Sequence, residues 1–306
     1  MQTFDSRAIV LKNIHKTYEK GTILAVQDVS FDVKNGELFG LIGPDGAGKT
    51  TLLRIIATLI QQDKGSAMVD QFDCLSEFKA IRQRIGYMPG RFSLYQDLTV
   101  AENLSFFATI FNTSIAENYD LIKDIYFQIE PFKDRRAGKL SGGMKQKLAL
   151  CCALIHKPSV LILDEPTTGV DPVSRKEFWE MLARLQKEGI TIIVSTPYMD
   201  EAIRCDRIAF INHGKLLTID TPKKIIQNFE EPLWAIQGDN LFDLMQTLRL
   251  WDLTKSCFSF GDCLHFTATS KAIGNQEIKA YLGTRAVEIQ AISPTIEDCF
   301  MAYLQN

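Results

Sequence analysis

Apolar and polar positions along the first 220 residues switch between two periods. Short runs of β-branched and aromatic residues cover 8–11, 23–33, 38–42, 160–163, 191–194 and 208–211. Each has the composition of a strand. Helical patterns occupy 49–60, 101–111, 118–128, 142–155, 173–187 and 199–204. Strands separated by helix-length segments predict a sheet that is parallel in its main part, with helices packed on it. The stretch from about 92 to 153 is helical and reads as an insertion on an α/β core. After Gly214-Lys215 the pattern changes. Thr221-Pro222 starts a short helix and Glu230-Glu231-Pro232 reads as a linker. Strands at 234–237, 256–260 and 264–267 then interleave with helices at 240–250 and 271–282. A last helix is expected to open at Ser293-Pro294, with serine as cap and proline in the first turn. Its apolar face is Ile296, Phe300, Tyr303 and Leu304. The expected organisation is an α/β unit, 1–220, with a β-rich N-terminal part and a helical subdomain at about 92–153. A smaller α+β unit, 221–306, follows.

Composition narrows the function classes. The 306 residues are 46% hydrophobic and 23% charged, with a net charge of −3 and no segregated basic half. That argues against nucleic acid as main partner, because phosphate-backbone binding needs a concentrated positive footprint. The longest apolar run, 148–155, is far shorter than the roughly 18–20 residues of a membrane span. Residues 1–7 lack the features of a signal peptide. Both observations lead to the expectation of a cytoplasmic chain. Seven cysteines without a C-x-x-C pair, and four scattered histidines, suggest neither a disulfide framework nor a zinc site.

Candidate chemistry begins where the run 38–42 enters Gly43-Pro44-Asp45-Gly46-Ala47-Gly48-Lys49-Thr50-Thr51. This is G-x-x-x-x-G-K-[ST] between a buried strand and a helix. Its glycines let the backbone curl so that successive N–H groups face phosphate oxygens, and the helix N-terminus adds favourable potential. Lys49, expected as an exposed loop lysine, should reach the β- and γ-phosphates of a nucleotide. Thr50 should hold Mg²⁺ and Thr51 should support the α-phosphate. A second apolar strand, 160–163, ends in Asp164-Glu165. Two carboxylates at the C-terminal edge of a parallel sheet lie beside such a loop. Asp164 would orient Mg²⁺ through water, and Glu165 would polarise the attacking water as general base.

Between these lies Leu140-Ser141-Gly142-Gly143-Met144-Lys145-Gln146, a serine cap and two glycines opening a helix. It resembles the signature motif of ABC-type ATPases, with Met144 where glutamine is commonest. The resemblance covers residues 1 to about 220 and implies a P-loop NTPase core. It also implies a head-to-tail dimer in which Ser141, Gly142 and Gly143 face the ATP held by the other subunit. Tyr18 sits where the family places an aromatic that stacks on adenine. Gly169-Val170-Asp171-Pro172 resembles the loop that contacts the opposite subunit. The tail, 222–306, is similar to the accessory domain of ABC-2 type drug-export ATPases. Other phrases resemble the first nucleotide domain of exporters with two unequal ones.

Two positions depart from the family pattern. Gly90 stands where a glutamine that contacts Mg²⁺ and water is expected. Pro197 stands where a histidine gripping the γ-phosphate is expected, and it has no side-chain donor and no backbone N–H. The resemblance thus implies an ATPase subunit of a membrane exporter, its own site half-equipped. Its implied partners are integral-membrane permease subunits and a second ABC ATPase, a different chain in preference to a second copy. It would be held on the inner face of the cell membrane through the permease, docked near Phe92, Leu94, Tyr95 and Leu98. The competing readings are a soluble non-transport ABC ATPase and a regulatory nucleotide-binding module without turnover.

Overall fold

The computed structural model describes residues 6–305; residues 1–5, part of the signal-peptide reading, lie outside them. The chain divides into two compact units, Met1–Pro222 and Lys223–Asn306.

The first unit opens with a long hairpin, β1 (Arg7–Tyr18) and β2 (Ile23–Lys34). The fully buried β3 (Leu38–Ile42) then runs through the glycine loop into α1 (Lys49–Ile56). Next come β4 (Lys64–Val69), β5 (Phe72–Asp73), α2 (Phe78–Arg82) and β6 (Ile85–Met88). The helical insertion holds α3 (Val100–Ile110), α4 (Tyr119–Tyr126) and α5 (Gly142–Leu154). Thr99 and Glu102 close a reciprocal capping box at the start of α3. The chain returns through β7 (Val160–Asp164), α6 (Pro172–Lys187), β8 (Thr191–Thr196), β9 (Arg207–Asn212) and β10 (Lys215–Asp220). Residues 199–204, expected as an α-helix, form a 3-10 helix.

Among the described residues, six strands form one sheet in the order β10-β9-β3-β8-β7-β6, and β2-β1-β4-β5 form an antiparallel sheet. Four neighbouring pairs of the first sheet are parallel; β9 and β10 are antiparallel. Register decides what meets at its C-terminal edge. Ile42 lies opposite Thr196, Asp164 opposite Ser195, and Leu163 opposite Met88. The loops that begin at Gly43, Glu165, Pro197 and Pro89 therefore start side by side. A buried cluster including Ile9, Phe39, Leu52, Ile55 and Ile162 fills the space beneath.

The boundary helix α7 (Pro222–Gln227) precedes a second, antiparallel sheet unit. It contains β11 (Leu233–Gly238), α8 (Leu241–Arg249), β12 (Thr254–Phe260), β13 (Cys263–Ala268), α9 (Asn275–Leu282), β14 (Val287–Ile292) and α10 (Ile296–Gln305). The strand order is β12-β13-β11-β14. Leu244, Leu248, Ile278 and Leu282 from α8 and α9 cover one face. The expected start of the last helix shifts. Thr295, not Ser293, caps α10: its hydroxyl accepts from Asp298 N at 3.3 Å while Asp298 Oδ2 accepts from Thr295 N at 2.8 Å. A reciprocal cap needs an acidic residue three positions on, and Ser293 has Ile296 there.

Strands β4, β5, β10 and β14 escape the sequence pattern. β4 begins Lys64-Gly65-Ser66, and β10 is half-buried along most of its length, so neither shows an apolar run. All seven cysteines are free thiols. Burial pushes Cys74 and Cys299 up to about 12 and Cys257 up to about 11, and also raises Cys151, Cys152 and Cys205. Only thiolates react readily. A disulfide reagent at pH 8 is therefore expected to label Cys263, the half-buried one, well before the other six, and all seven after unfolding. Rapid labelling of several native cysteines contradicts this packing.

Candidate functional site

The glycine loop needs its glycines for backbone reasons. Gly48 has φ +104°, and a Cβ there would lie 2.5 Å from Ala25 O. At Gly43 a Cβ would lie 2.1 Å from Ile211 O. Both positions exclude any larger residue.

Lys49 is not an exposed loop lysine. It is 3% exposed, and its ammonium donates to Gly43 O at 2.8 Å and Pro44 O at 3.0 Å. The third partner is Glu165 Oε1 at 3.1 Å. An ammonium has three donors, so all are engaged. The lysine folds back because the first helical turn puts its stem inside the loop that it closes.

Beside it, Asp164 is buried, with Oδ1 accepting from Thr50 Oγ1 at 3.0 Å and from Ser195 Oγ at 2.7 Å. Ser195 also receives the Glu165 N–H, at its hydroxyl (3.0 Å) and at its carbonyl (3.1 Å). Glu165 holds φ +48°, a left-handed conformation uncommon outside glycine and asparagine. That turn directs its carboxylate toward Lys49 instead of along the strand. Backbone strain at a loop of this kind is common where function demands a special direction.

Thr50 and Asp164 offer hard oxygen donors. Magnesium typically takes one or two protein oxygens, leaving the remainder to phosphate and water. Among the described residues no group of three His, Cys, Asp or Glu gathers for a metal. The pair fits Mg²⁺ carried in with a nucleotide.

Tyr18, at the end of β1, reaches the same helix: its hydroxyl is 3.3 Å from Thr51 Oγ1. Ser141 caps α5 by accepting from Met144 N at 3.4 Å, and Ser141 and Gly142 are exposed. Gly143 is buried; a Cβ there would lie 2.8 Å from Ser174 Oγ. Gly90 is exposed, and a Cβ on it would lie 3.8 Å from Asp164 Oδ2 and 3.1 Å from Asp164 O. A glutamine there would have the length to reach the Asp164 carboxylate; the glycine does not. Pro197 follows directly on β8.

Two residues escaped the sequence reading. Ser195 joins Asp164 to Glu165, and its signal was its place at a strand end facing that of Asp164. Glu201 is 2% exposed and accepts from Thr167 at 2.8 Å and from Thr196 at 2.5 Å. No local feature distinguishes it from the acidic Asp200 beside it.

A groove of about 580 Å³ opens between the end of α1, β6 and the helical insertion. Leu59, Tyr87, Leu94, Phe107, Ile110 and Phe111 line it, and Leu59 and Ile110 are more than half exposed. Burial, then the charge of Asp164, holds the Tyr87 hydroxyl above its ordinary range. Of the four residues expected at a docking groove, Leu94 lines it, whereas Phe92, Tyr95 and Leu98 do not. The basic group Lys133, Arg135, Arg136 and Lys139 is solvent-exposed.

Comparison with known proteins gives a consistent result. Residues 26–168 match the ABC transporter family model. The chain is 45% identical over 301 residues to a probable multidrug ABC transporter ATP-binding protein, YbhF, of Escherichia coli, covering 97% of this chain and 52% of that protein. It thus spans about half the length of that relative. It is 36% identical over 243 residues to the doxorubicin resistance ATP-binding protein DrrA of Mycobacterium tuberculosis (78% of this chain, 73% of that one). Against a Nod factor export ATP-binding protein I of Rhizobium sp. it is 35% identical over 299 residues, 96% of both chains. Among solved structures, a dimeric ATP-binding cassette in a post-hydrolysis state with ADP and Pi bound superposes with a TM-score of 0.64 at 28% identity. That match covers 70% of this chain and 98% of the other. CbiO1 of Clostridium perfringens, part of an ABC transporter complex, gives 0.65 at 27% identity, covering 74% and 93%.

Replacing Lys49 by alanine removes all three of its contacts and leaves the carbonyls of Gly43 and Pro44 without that donor. The expected outcome is loss of tight Mg-ATP binding together with about 1–3 kcal/mol of stability. Calorimetry and urea unfolding measure the two effects separately. Unchanged ATP affinity in the folded variant contradicts the assignment of the loop.

Proposed function

This chain belongs to the ABC transporter family, and on that premise we propose that it is the ATP-binding, ATP-hydrolysing subunit of a membrane exporter. The observation that carries the reading is the contiguous group Lys49, Thr50, Asp164 and Glu165 at the C-terminal edge of the parallel sheet. In this reading Lys49 and the loop N–H groups take the β- and γ-phosphates, and Thr51 supports the α-phosphate. Tyr18 stacks on adenine. Thr50 and Asp164 hold Mg²⁺, which when bound neutralises phosphate charge. Glu165 accepts the proton of the attacking water as its oxygen bonds to the γ-phosphorus and the β–γ bridging bond breaks, leaving ADP.

Phosphate arriving at Lys49 competes for its three engaged donors. Displacement of Glu165 from the ammonium then frees the base only when nucleotide is present. The same electrostatic step fills the site and arms it.

The exporter assignment draws on relatives named for multidrug and Nod factor export. In this reading the chain works with a permease, on its cytoplasmic side; among the described residues no helix is long and apolar enough to cross a membrane. The groove lined by Leu94, Phe107 and Ile110 is the surface for it. Ile110 is 54% exposed, so Ile110→Asp should fold normally. It is expected to abolish co-purification with the permease from native membranes; undiminished co-purification removes the groove from consideration.

In a head-to-tail pair two nucleotides would be sandwiched, and this chain's Ser141-Gly142-Gly143 would face the nucleotide held by its partner. Gly90 and Pro197 withhold two groups from this chain's own site. Losing one preorganised group on developing charge costs about 10²–10³ in rate, so this site binds ATP and turns it over slowly. The partner that compensates is a different ATPase chain, whose site this chain's intact signature segment completes. Gly143 cannot be used to test this, because any side chain collides with Ser174 of the same chain. Ser141 is exposed, and Ser141→Arg should stop steady-state hydrolysis by the reconstituted complex, whereas Glu165→Gln should lower it only modestly. Equal loss from both changes, or brisk turnover by the purified chain alone, overturns the unequal-site model.

A further inference from the structure

We propose that Asp63 is a positioning residue for the adenine base: its carboxylate latches the end of β1 and thereby sets the place of Tyr18 over α1. The inference rests on the reading of Tyr18 as the base-stacking side chain.

The hydrogen-bond ladder between β1 and β4 ends at the pair His15–Lys64. Thr17, one residue short of Tyr18, extends past that end. The Asp63 side chain substitutes for the missing strand. Its Oδ2 accepts from Thr17 N at 2.7 Å and from Thr17 Oγ1 at 2.8 Å, while Oδ1 accepts from Lys16 Nζ at 2.7 Å. Its own N–H donates to His15 O at 2.8 Å. One residue therefore grips three consecutive positions, 15 to 17.

The other edge of this segment is already held. Thr17 lies opposite Leu24 and Tyr18 opposite Ile23, across a 3-10 turn at Glu19–Gly21. With both edges fixed, the Tyr18 backbone is extended (φ −120°, ψ 171°) and the ring reaches toward Thr51. Lys16, drawn in by Asp63, stands 5.9 Å from the centre of the Tyr18 ring. Close descent of β4 onto β1 makes the latch reachable. Gly65 has φ +89°, and a Cβ there would lie 2.3 Å from Asn13 O and 2.4 Å from Lys12 O. The hydrogen bond from Lys16, then those from Thr17, lower Asp63 to about 2, so the latch is an anion throughout the working pH range.

Asp63 is 37% exposed, so truncating it opens no core cavity. The test is calorimetric binding of Mg-ATP and of inorganic Mg-triphosphate to the full chain, in the wild type and in Asp63→Ala, Asp63→Asn, Tyr18→Ala and the double variant Tyr18→Ala/Asp63→Ala. Stacking a base on an aromatic ring accounts for roughly a tenfold gain in affinity. Asp63→Ala should weaken ATP about tenfold and leave triphosphate unchanged. Asp63→Asn, whose amide oxygen can still accept from Thr17 N, should recover most of the loss. In the Tyr18→Ala background, Asp63→Ala should cost nothing more. Wild-type ATP affinity in Asp63→Ala, parallel loss of both ligands, or additive losses in the double variant would overturn the proposal. Those outcomes differ from a wild-type chain that binds neither ligand, which would sink the nucleotide site itself.

Discussion

One carboxylate oxygen, Asp164 Oδ1, joins three parts of the chain that are distant in sequence. Thr50 donates to it from the helix after the glycine loop, and Ser195 donates from the end of the neighbouring strand. Leaving a buried carboxylate without such donors costs several kcal/mol, on the order of a large share of a domain's stability. The requirement therefore constrains the sheet. A one-residue slip of β7 against β8 would send Asp164 to the opposite face and break both contacts. The parallel pairing of β3, β8 and β7 and the place of the glycine loop are fixed together by this demand.

Charge at the edge is arranged with similar economy. Lys49 would be an isolated buried cation were it not for two loop carbonyls and Glu165. Glu165 in turn adopts a left-handed backbone to meet it. On the proposed reading, nucleotide phosphates would replace oxygen partners that the lysine already uses, so binding would exchange one set of contacts for another instead of filling a bare charge. That exchange would link occupancy of the loop to release of the carboxylate proposed as base.

The two departures act at different points on this edge. A side chain at position 90 would face Asp164, so on the proposed reading its absence acts on the Mg²⁺ side. Pro197 continues β8 beyond Thr196, whose hydroxyl is bound to the buried Glu201. The strand end is thus firmly tied, and Pro197 beyond it carries neither a side-chain donor nor a backbone N–H. On the proposed reading, such a site would bind nucleotide through its loop and lack two groups that stabilise developing charge.

Much of this was legible in the chain alone, because a phosphate loop is a local device. Gly43 to Thr51, the apolar strand ending in Asp164-Glu165, and the serine-capped helix at Ser141 each depend on neighbours within a few residues. Backbone curl, capping and burial of a strand are written at that range. Contacts between distant residues are not. The burial of Lys49, the Ser195 bridge, the collision waiting at Gly143 and the grip of Asp63 on Thr17 arise from segments brought together by folding. The polar strand β4 shows the same limit. Lys64-Gly65-Ser66 has no strand pattern, and it becomes a strand because β1 offers an unpaired edge for it to satisfy. Local propensity chose the loop and its helix; the pairing of distant edges chose where the carboxylates stand.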